Sequence, residues 1–148
     1  MGRERRLGGG MIVSSEELDR LFSELCAGTR AGGAASRARA DVYVTGDPPT
    51  LVVELALPGL DVETVQIALE PEALVVQGER RRSSAGPRRA YDHAEIDWGP
   101  FARRLSLGRP VDPDSSSAEY RDGILALRMP LARSPAPGRV LVTVHIAG

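Results

Sequence analysis

Residues 51–78 read LVVELALPGLDVETVQIALEPEALVVQG, and the period of this stretch decides the fold. Leu51, Val53, Leu55 and Leu57 alternate with other residues up to Pro58-Gly59. Val65, Ile67 and Leu69 alternate up to Pro71, and Leu74 and Val76 up to Gly78. Period two puts one apolar row on one face of an extended chain, and Pro and Gly punctuate it where a strand must stop. The pattern extends both ways. Upstream, Val42 and Val44 precede the turn residues Gly46-Asp47-Pro48-Pro49. Downstream come Phe101/Arg103/Leu105/Leu107, Ala118/Tyr120 and Leu125/Leu127/Met129. Asp122-Gly123 stands between the last two runs, where a two-residue hairpin turn requires positive φ. About seven short strands without an intervening helix predict an all-β, immunoglobulin-like antiparallel β-sandwich.

Composition sets the remaining bounds. The 148 residues suit one domain of ordinary size plus tails. Leu, Ile, Val and Phe number 16, 5, 13 and 2, well above the roughly one-fifth below which chains stay disordered. All 19 basic residues are Arg, and the sequence holds neither Lys nor Asn. A Walker A loop, a protein-kinase site and a Schiff-base enzyme each need a lysine, so all three are excluded. The lone Cys26 cannot form an internal disulfide, and without Asn there is no N-glycosylation acceptor, so the cytoplasm is the expected location. There is no GxSxG, HExxH or CxxC, and His93, His145 and Cys26 have no metal-site spacing, so no catalytic residue, metal or cofactor is expected.

The best apolar run, Leu51 to Leu60, is broken by Glu54 and falls far short of the roughly 18 residues of a membrane span. The opening MGRERRLGGGMIVSSEE is a poor signal peptide, because no hydrophobic region follows Arg5-Arg6; translation can start at Met1 or Met11.

Charge divides the chain in three. Residues 1–40 carry +2, residues 41–79 carry −8 with no base at all, and the remainder carries +5. An acidic and a basic part favour internal or self-complementary pairing. Arg80, Arg81, Arg82, Arg88 and Arg89 lie on the polar stretch ERRRSSAGPRRA, which reads as a protruding loop running into a possible extra strand at 91–96. No aromatics interleave these arginines, so a specific nucleic-acid surface is not expected.

Before the strands, Ser14 and Glu17 have capping-box spacing, and Leu18, Leu21, Phe22 and Leu25 fall on one face of a helix predicted over 14–26. The Gly/Ala/Arg-rich stretch after it reads as a linker ending near Ala40. Such a helix either packs on the domain or is a binding helix.

The runs VELALPGLDVETVQIALEPEALVVQGER, YDHAEIDWGPFARRLSL and VDPDSSSAEYRDGILALRMPL, in this order and spacing, resemble the α-crystallin domain of bacterial-type small heat-shock proteins. The resemblance covers about residues 41–132, and its most specific pieces are Pro58 and Gly59, then Gly99, Phe101 and Arg103, and lastly Ala118 with Gly123 and Leu125. Physically these are turn and core positions and so fold determinants. The helix LDRLFSEL is similar to the one many bacterial members carry ahead of this domain.

The resemblance implies a three-part chain: an arm over 1–40, the domain over 41–132 and a flexible C-terminal extension over 133–148. It implies an ATP-independent chaperone, not an enzyme, which holds unfolding clients on Leu18, Leu21, Phe22 and Leu25 and hands them to ATP-dependent chaperones. It implies a tail anchor at Val140 and Val142, with Val142-Thr143-Val144 as the other register and a final strand on the chain's own domain as the plain alternative. The receiving groove would lie between Val65/Ile67/Leu69 and Ala118/Tyr120. It also implies a homodimer, assembling into a larger homo-oligomer, in which Tyr91, His93 and Glu95 pair with the edge strand of Val42 and Val44 and the loop arginines form intersubunit ion pairs. The competing expectation is a monomeric β-sandwich co-chaperone or interaction module resembling CS domains.

Overall fold

The computed structural model describes residues 5–7, 20, 38–134 and 138–146. The alternating runs form strands β1 (Arg5–Leu7), β2 (Ala40–Thr45), β3 (Thr50–Ala56), β4 (Leu60–Leu69) and β5 (Ala73–Arg80). These continue with β6 (Gly99–Ser106), β7 (Ser117–Arg121), β8 (Ile124–Pro130), β9 (Val140–Val142) and β10 (Val144–Ile146). They build two sheets, in the orders β1-β9-β4-β5-β6 and β10-β7-β8-β3-β2. Neighbours are antiparallel except β1 on β9 and β10 on β7, which are parallel.

Register explains the core. Leu55 faces Leu125 and Val53 faces Leu127 in one sheet, while Ile67 faces Val76 and Leu69 faces Leu74 in the other. Val53, Leu55, Leu57, Ile67, Leu74, Val76, Leu125, Leu127 and Met129 are each 1% exposed or less. Burying an aliphatic side chain of this size contributes about 1.5–3 kcal/mol, so this interdigitated layer holds the sheets together. Val65 is half-buried against it, beside a register shift of β4 between Asp61 and Gln66. Thr64 bridges that irregularity: its hydroxyl donates to the Asp61 carbonyl at 2.7 Å and accepts from the Glu79 amide at 2.9 Å.

The crossing from one sheet to the other is held by the β7–β8 hairpin. Asp122 (φ 53°) and Gly123 (φ 79°) form the expected positive-φ turn. Its tip accepts a 2.8 Å hydrogen bond from the Leu57 amide at the Gly123 carbonyl, while the Tyr120 hydroxyl donates to the Leu57 carbonyl at 2.8 Å. Two residues on, Gly59 has φ 77°, and a Cβ there would lie 2.6 Å from Trp98 Cζ3. Glycine at 59 is thus required both by backbone conformation and by the indole ring lying against it.

Two features depart from the expectations, and a third follows the plain alternative given for the tail. The 91–96 stretch is coil: it has no neighbouring strand among the described residues to supply a ladder. Within 133–148, residues 140–146 form β9 and β10 on the chain's own sandwich, so the extension is strand there because two sheet edges offer it hydrogen bonds. β1 was not foreseen at all, because three residues with no alternation carry no strand signal. Of the helix predicted over 14–26 only Arg20, which is helical, is described; Leu18, Leu21, Phe22 and Leu25 lie outside the described residues.

Gly59→Ala is expected to destabilise the domain by about 1–3 kcal/mol, through positive-φ strain and displacement of the indole. Because Trp98 is the one tryptophan, urea titration followed by its fluorescence reads both the lost stability and a red-shifted native emission.

Candidate functional site

The sandwich has an open side between the outer edges of β4 and β7, and the C-terminal segment fills it. β9 runs antiparallel along β4, with Val140 opposite Leu69, Leu141 opposite Ala68 and Val142 opposite Ile67. β10 runs parallel along β7, placing Val144 opposite Ala118 and Ile146 opposite Tyr120. Alternation then sorts the side chains. Val140 and Val142 are 3% and 7% exposed, Val142 joins the main core, and Val144 packs against it. Both registers of the tail motif are therefore in use at once, the first on β4 and the second reaching β7. Of the groove residues named from sequence, Ile67, Leu69 and Ala118 are buried, while Val65 and Tyr120 are half-buried at its border.

Sequence reading missed the charged clamp at the start of this segment. Glu70, one residue beyond β4, accepts from Arg104 Nη2 at 2.8 Å through Oε2 and from Arg139 Nη2 through Oε1. The Arg139 side chain is only 12% exposed against 51% for Arg104, so its pair with Glu70 is the better shielded from water and salt. Arg139 directly before Val140 was the available signal; its partner 69 residues away was not readable. On its far edge β9 carries β1, with Arg5 opposite Val140 and Leu7 opposite Val142, so the N-terminal strand lies on the tail and not on the sandwich itself.

The second candidate surface is the outer edge of the other sheet. β2 ends that sheet, and Val42, Tyr43 and Val44 are 52%, 40% and 38% exposed. The row of Val42 and Val44, expected on an edge strand, is uncovered in the single chain. The Tyr43 hydroxyl donates to the Glu54 carboxylate across the β2–β3 pair. That hydrogen bond, then burial and the Glu54 charge, pushes the Tyr43 phenol above its usual range.

Tyr91, His93 and Glu95 are exposed coil and do not meet Val42 and Val44 in the single chain. The loop carrying them is shaped by its own arginines. Arg82 lies 4.5 Å from the Tyr91 ring centroid and 5.2 Å from that of Trp98. Arg80 Nε donates to the Pro58 carbonyl at 2.8 Å, with its guanidinium 6.0 Å from the Trp98 ring. Arg89 donates to the Tyr91 hydroxyl at 3.3 Å. Hydrogen bonds from Arg89 and then Arg82 favour the phenolate and lower the Tyr91 pKa.

Arg81 meets Asp61 at 2.9 Å and Glu79 at 3.2 Å, so part of the charge split expected to pair across subunits is satisfied inside the chain. Arg88 is exposed on the same loop. Among the fold-determining positions, Phe101 and Leu125 are buried, Gly99 has φ 110° at the start of β6, and Arg103 donates to the Ala38 carbonyl at 3.3 Å, tying the residues just before β2 to β6.

The chain has counterparts among known proteins. The model of the Hsp20/alpha crystallin family matches residues 44–145. The chain is 36% identical over 129 residues to the 18 kDa heat shock protein of Streptomyces albus G, covering 85% of this chain and 86% of that one. It is 34% identical over 135 residues to the 18 kDa antigen 1 of Mycobacterium intracellulare, covering 89% and 86%. With the 18 kDa antigen 1 of Mycobacterium avium it shares 39% identity over 92 residues, which are 61% of that protein's length. Among solved structures, hspA from Xanthomonas axonopodis superposes with a TM-score of 0.56 at 28% identity, over 67% of this chain and 96% of that one. The chain belongs to the Hsp20/alpha crystallin family of small heat-shock proteins. Among the described residues, no helix is long and apolar enough to cross a membrane.

The opposed shifts of Tyr43 and Tyr91 are measurable. In an alkaline titration followed by tyrosinate absorbance, Tyr91 is expected to ionise below the ordinary value of 10.0 and Tyr43 above it. Tyr91→Phe should remove the early phase, Arg89→Ala should move it to higher pH, and Glu54→Gln should bring the Tyr43 phase down.

Proposed function

We propose that this chain is an ATP-independent holdase, which captures unfolding proteins on apolar surfaces and keeps them from aggregating until ATP-dependent chaperones take them over. The observation that supports it best is the groove between β4 and β7. It is an apolar sheet edge filled by the three-residue strand β9 of this chain, and in this reading the same segment of another copy takes that place. In this reading, residues 1–40 act as the client-binding arm through Leu18, Leu21, Phe22 and Leu25, residues 41–132 as the domain and residues 133–148 as the anchor-bearing extension. Each Leu- or Phe-sized side chain reburied on a client contributes about 1.5–3 kcal/mol, and several weak sites acting together compete with aggregation. No bond is made or broken, no cofactor takes part, and the work is done in the cytoplasm.

Assembly follows the same logic of strand addition. Tyr91, His93 and Glu95 of one copy add as a strand to the exposed β2 edge at Val42 and Val44 of a second copy, which covers that apolar row and gives the coil a ladder. Arg80, Arg81, Arg82, Arg88 and Arg89 then exchange partners with carboxylates of the second copy. Exposed pairs add only about 0–1 kcal/mol each, so a dimer dissociation constant unchanged between low and high salt refutes the ionic part. Tails crossing between dimers build the larger homo-oligomer. A small heat-shock protein from Xylella fastidiosa, similar in fold at 24% identity, is described as having a distinct high order structure.

A monomeric interaction module resembling CS domains is the second reading, favoured by one observation: β9 and β10 fill the groove of their own domain. Light scattering from a heat-aggregating client, at equal subunit concentration and without nucleotide, decides between them. Suppression supports the holdase; no suppression by a folded, monomeric chain supports the module. Deleting residues 139–148 is expected to shrink the assembly towards dimers, and Leu21→Ser with Phe22→Ser to weaken capture while the domain stays folded. A large oligomer unchanged by the deletion removes the tail anchor, and full capture by the arm variant removes the arm from the mechanism.

A further inference from the structure

The middle residue of the tail motif has work of its own in this structure. Val140 and Val142 are directed inwards with Ile67 and Leu69, so Leu141 and its register partner Ala68 lie on the outer face of the sheet. Val75, opposite Ala68 on β5, shares that face. Outer-face residues of a sandwich normally meet water, yet Ala68 is 0% and Val75 3% exposed. Together with the half-buried Leu141 they form an apolar cluster separate from the main core. Beside it lies the ion cluster of Glu70 with Arg104 and Arg139; Arg104 is the register partner of Val75 on β6. The small side chain of Ala68 leaves the space that the leucine occupies.

We propose that Leu141 is a third anchor of the tail and determines which tails this groove accepts. Two valines hold the inner side of the β4 edge and the leucine holds its outer side, so the groove selects an extended segment with three successive apolar residues. The occupant is the Val140-Leu141-Val142 segment of this chain, from the same or a second copy. A segment with a polar middle residue leaves Ala68 and Val75 facing water and is held less tightly. The inference rests on the tail-anchor reading above and adds the outer contact to it.

Hydrogen exchange on the full-length chain tests it, with Leu141→Thr, Leu141→Met and Val142→Ser compared with the natural sequence. Leu141→Thr keeps strand propensity but loses the outer contact, and is expected to lower protection of the β9 amides roughly tenfold, the cost of exposing one partly buried leucine. Leu141→Met is expected to restore it to within about threefold, while the amides of Leu55 and Leu127 in the core keep their protection in both. If Leu141→Thr stays within about twofold of the natural sequence while Val142→Ser loses protection, the third anchor is overturned and the two-valine anchor stands. If neither substitution alters protection of β9, both fall. If Leu141→Thr lowers protection of Leu55 and Leu127 as much as that of β9, the residue contributes to general stability and selects nothing.

Discussion

The backbone amides and carbonyls along the outer edges of β4 and β7 take their partners from the C-terminal segment, and this pairing organises that side of the molecule. Two packed sheets can bury their facing side chains completely and still leave these edges unpaired. Here β9 and β10 supply the missing ladders, one on each sheet, so that a single segment closes the sandwich. Each ladder is only three residues long. Its hold depends on the side chains it buries, Val140 and Val142 above all, and on the Glu70–Arg139 pair at its start. A segment held this way is specific in register but paired over only three residues on each sheet, whereas the nine side chains of the central layer lie under longer strands. The N-terminal strand β1 depends on the same contact, since its neighbour is β9.

Opposite this groove in its character is the β2 edge, which keeps its apolar row in water. The loop that belongs to the proposed dimer contact is not loose coil, however. Arg80 and Arg82 join it to Trp98, and Trp98 lies against Gly59 at the crossing between the sheets. A run of arginines that looks from sequence like a solvated patch therefore serves first to shape a loop against the domain. The acidic and basic parts of the chain meet through Asp61, Glu70 and Glu79, within one subunit.

Strand identity and the sandwich class were legible in the sequence, because each rests on local rules, whereas the groove was named only through the family resemblance. Period-two alternation marks Leu51 to Leu57 and Leu125 to Met129 as strands wherever they pack, and Asp122-Gly123 specifies its own turn through the φ angles it tolerates. Val42 and Val44 show where that logic stops: the same alternation that buries a row in β3 leaves it exposed in β2, because burial depends on whether another layer lies over the strand. Coil at Tyr91 to Ile96 has the same origin, since a strand needs a neighbour as well as a propensity.

By itself the sequence determined the all-β class and the turn positions, since these follow from side-chain chemistry and spacing along the chain; the tail motif was implied only by the family resemblance. Only the tertiary structure decided that the tail lies in its own domain's groove, that Leu141 covers Ala68 and Val75, that Glu70 joins Arg104 to Arg139, and that β1 rests on β9. Each of these is a contact between residues distant in sequence, made where two sheet edges leave hydrogen bonds and apolar surface unsatisfied, and no pattern within a single segment carries that information.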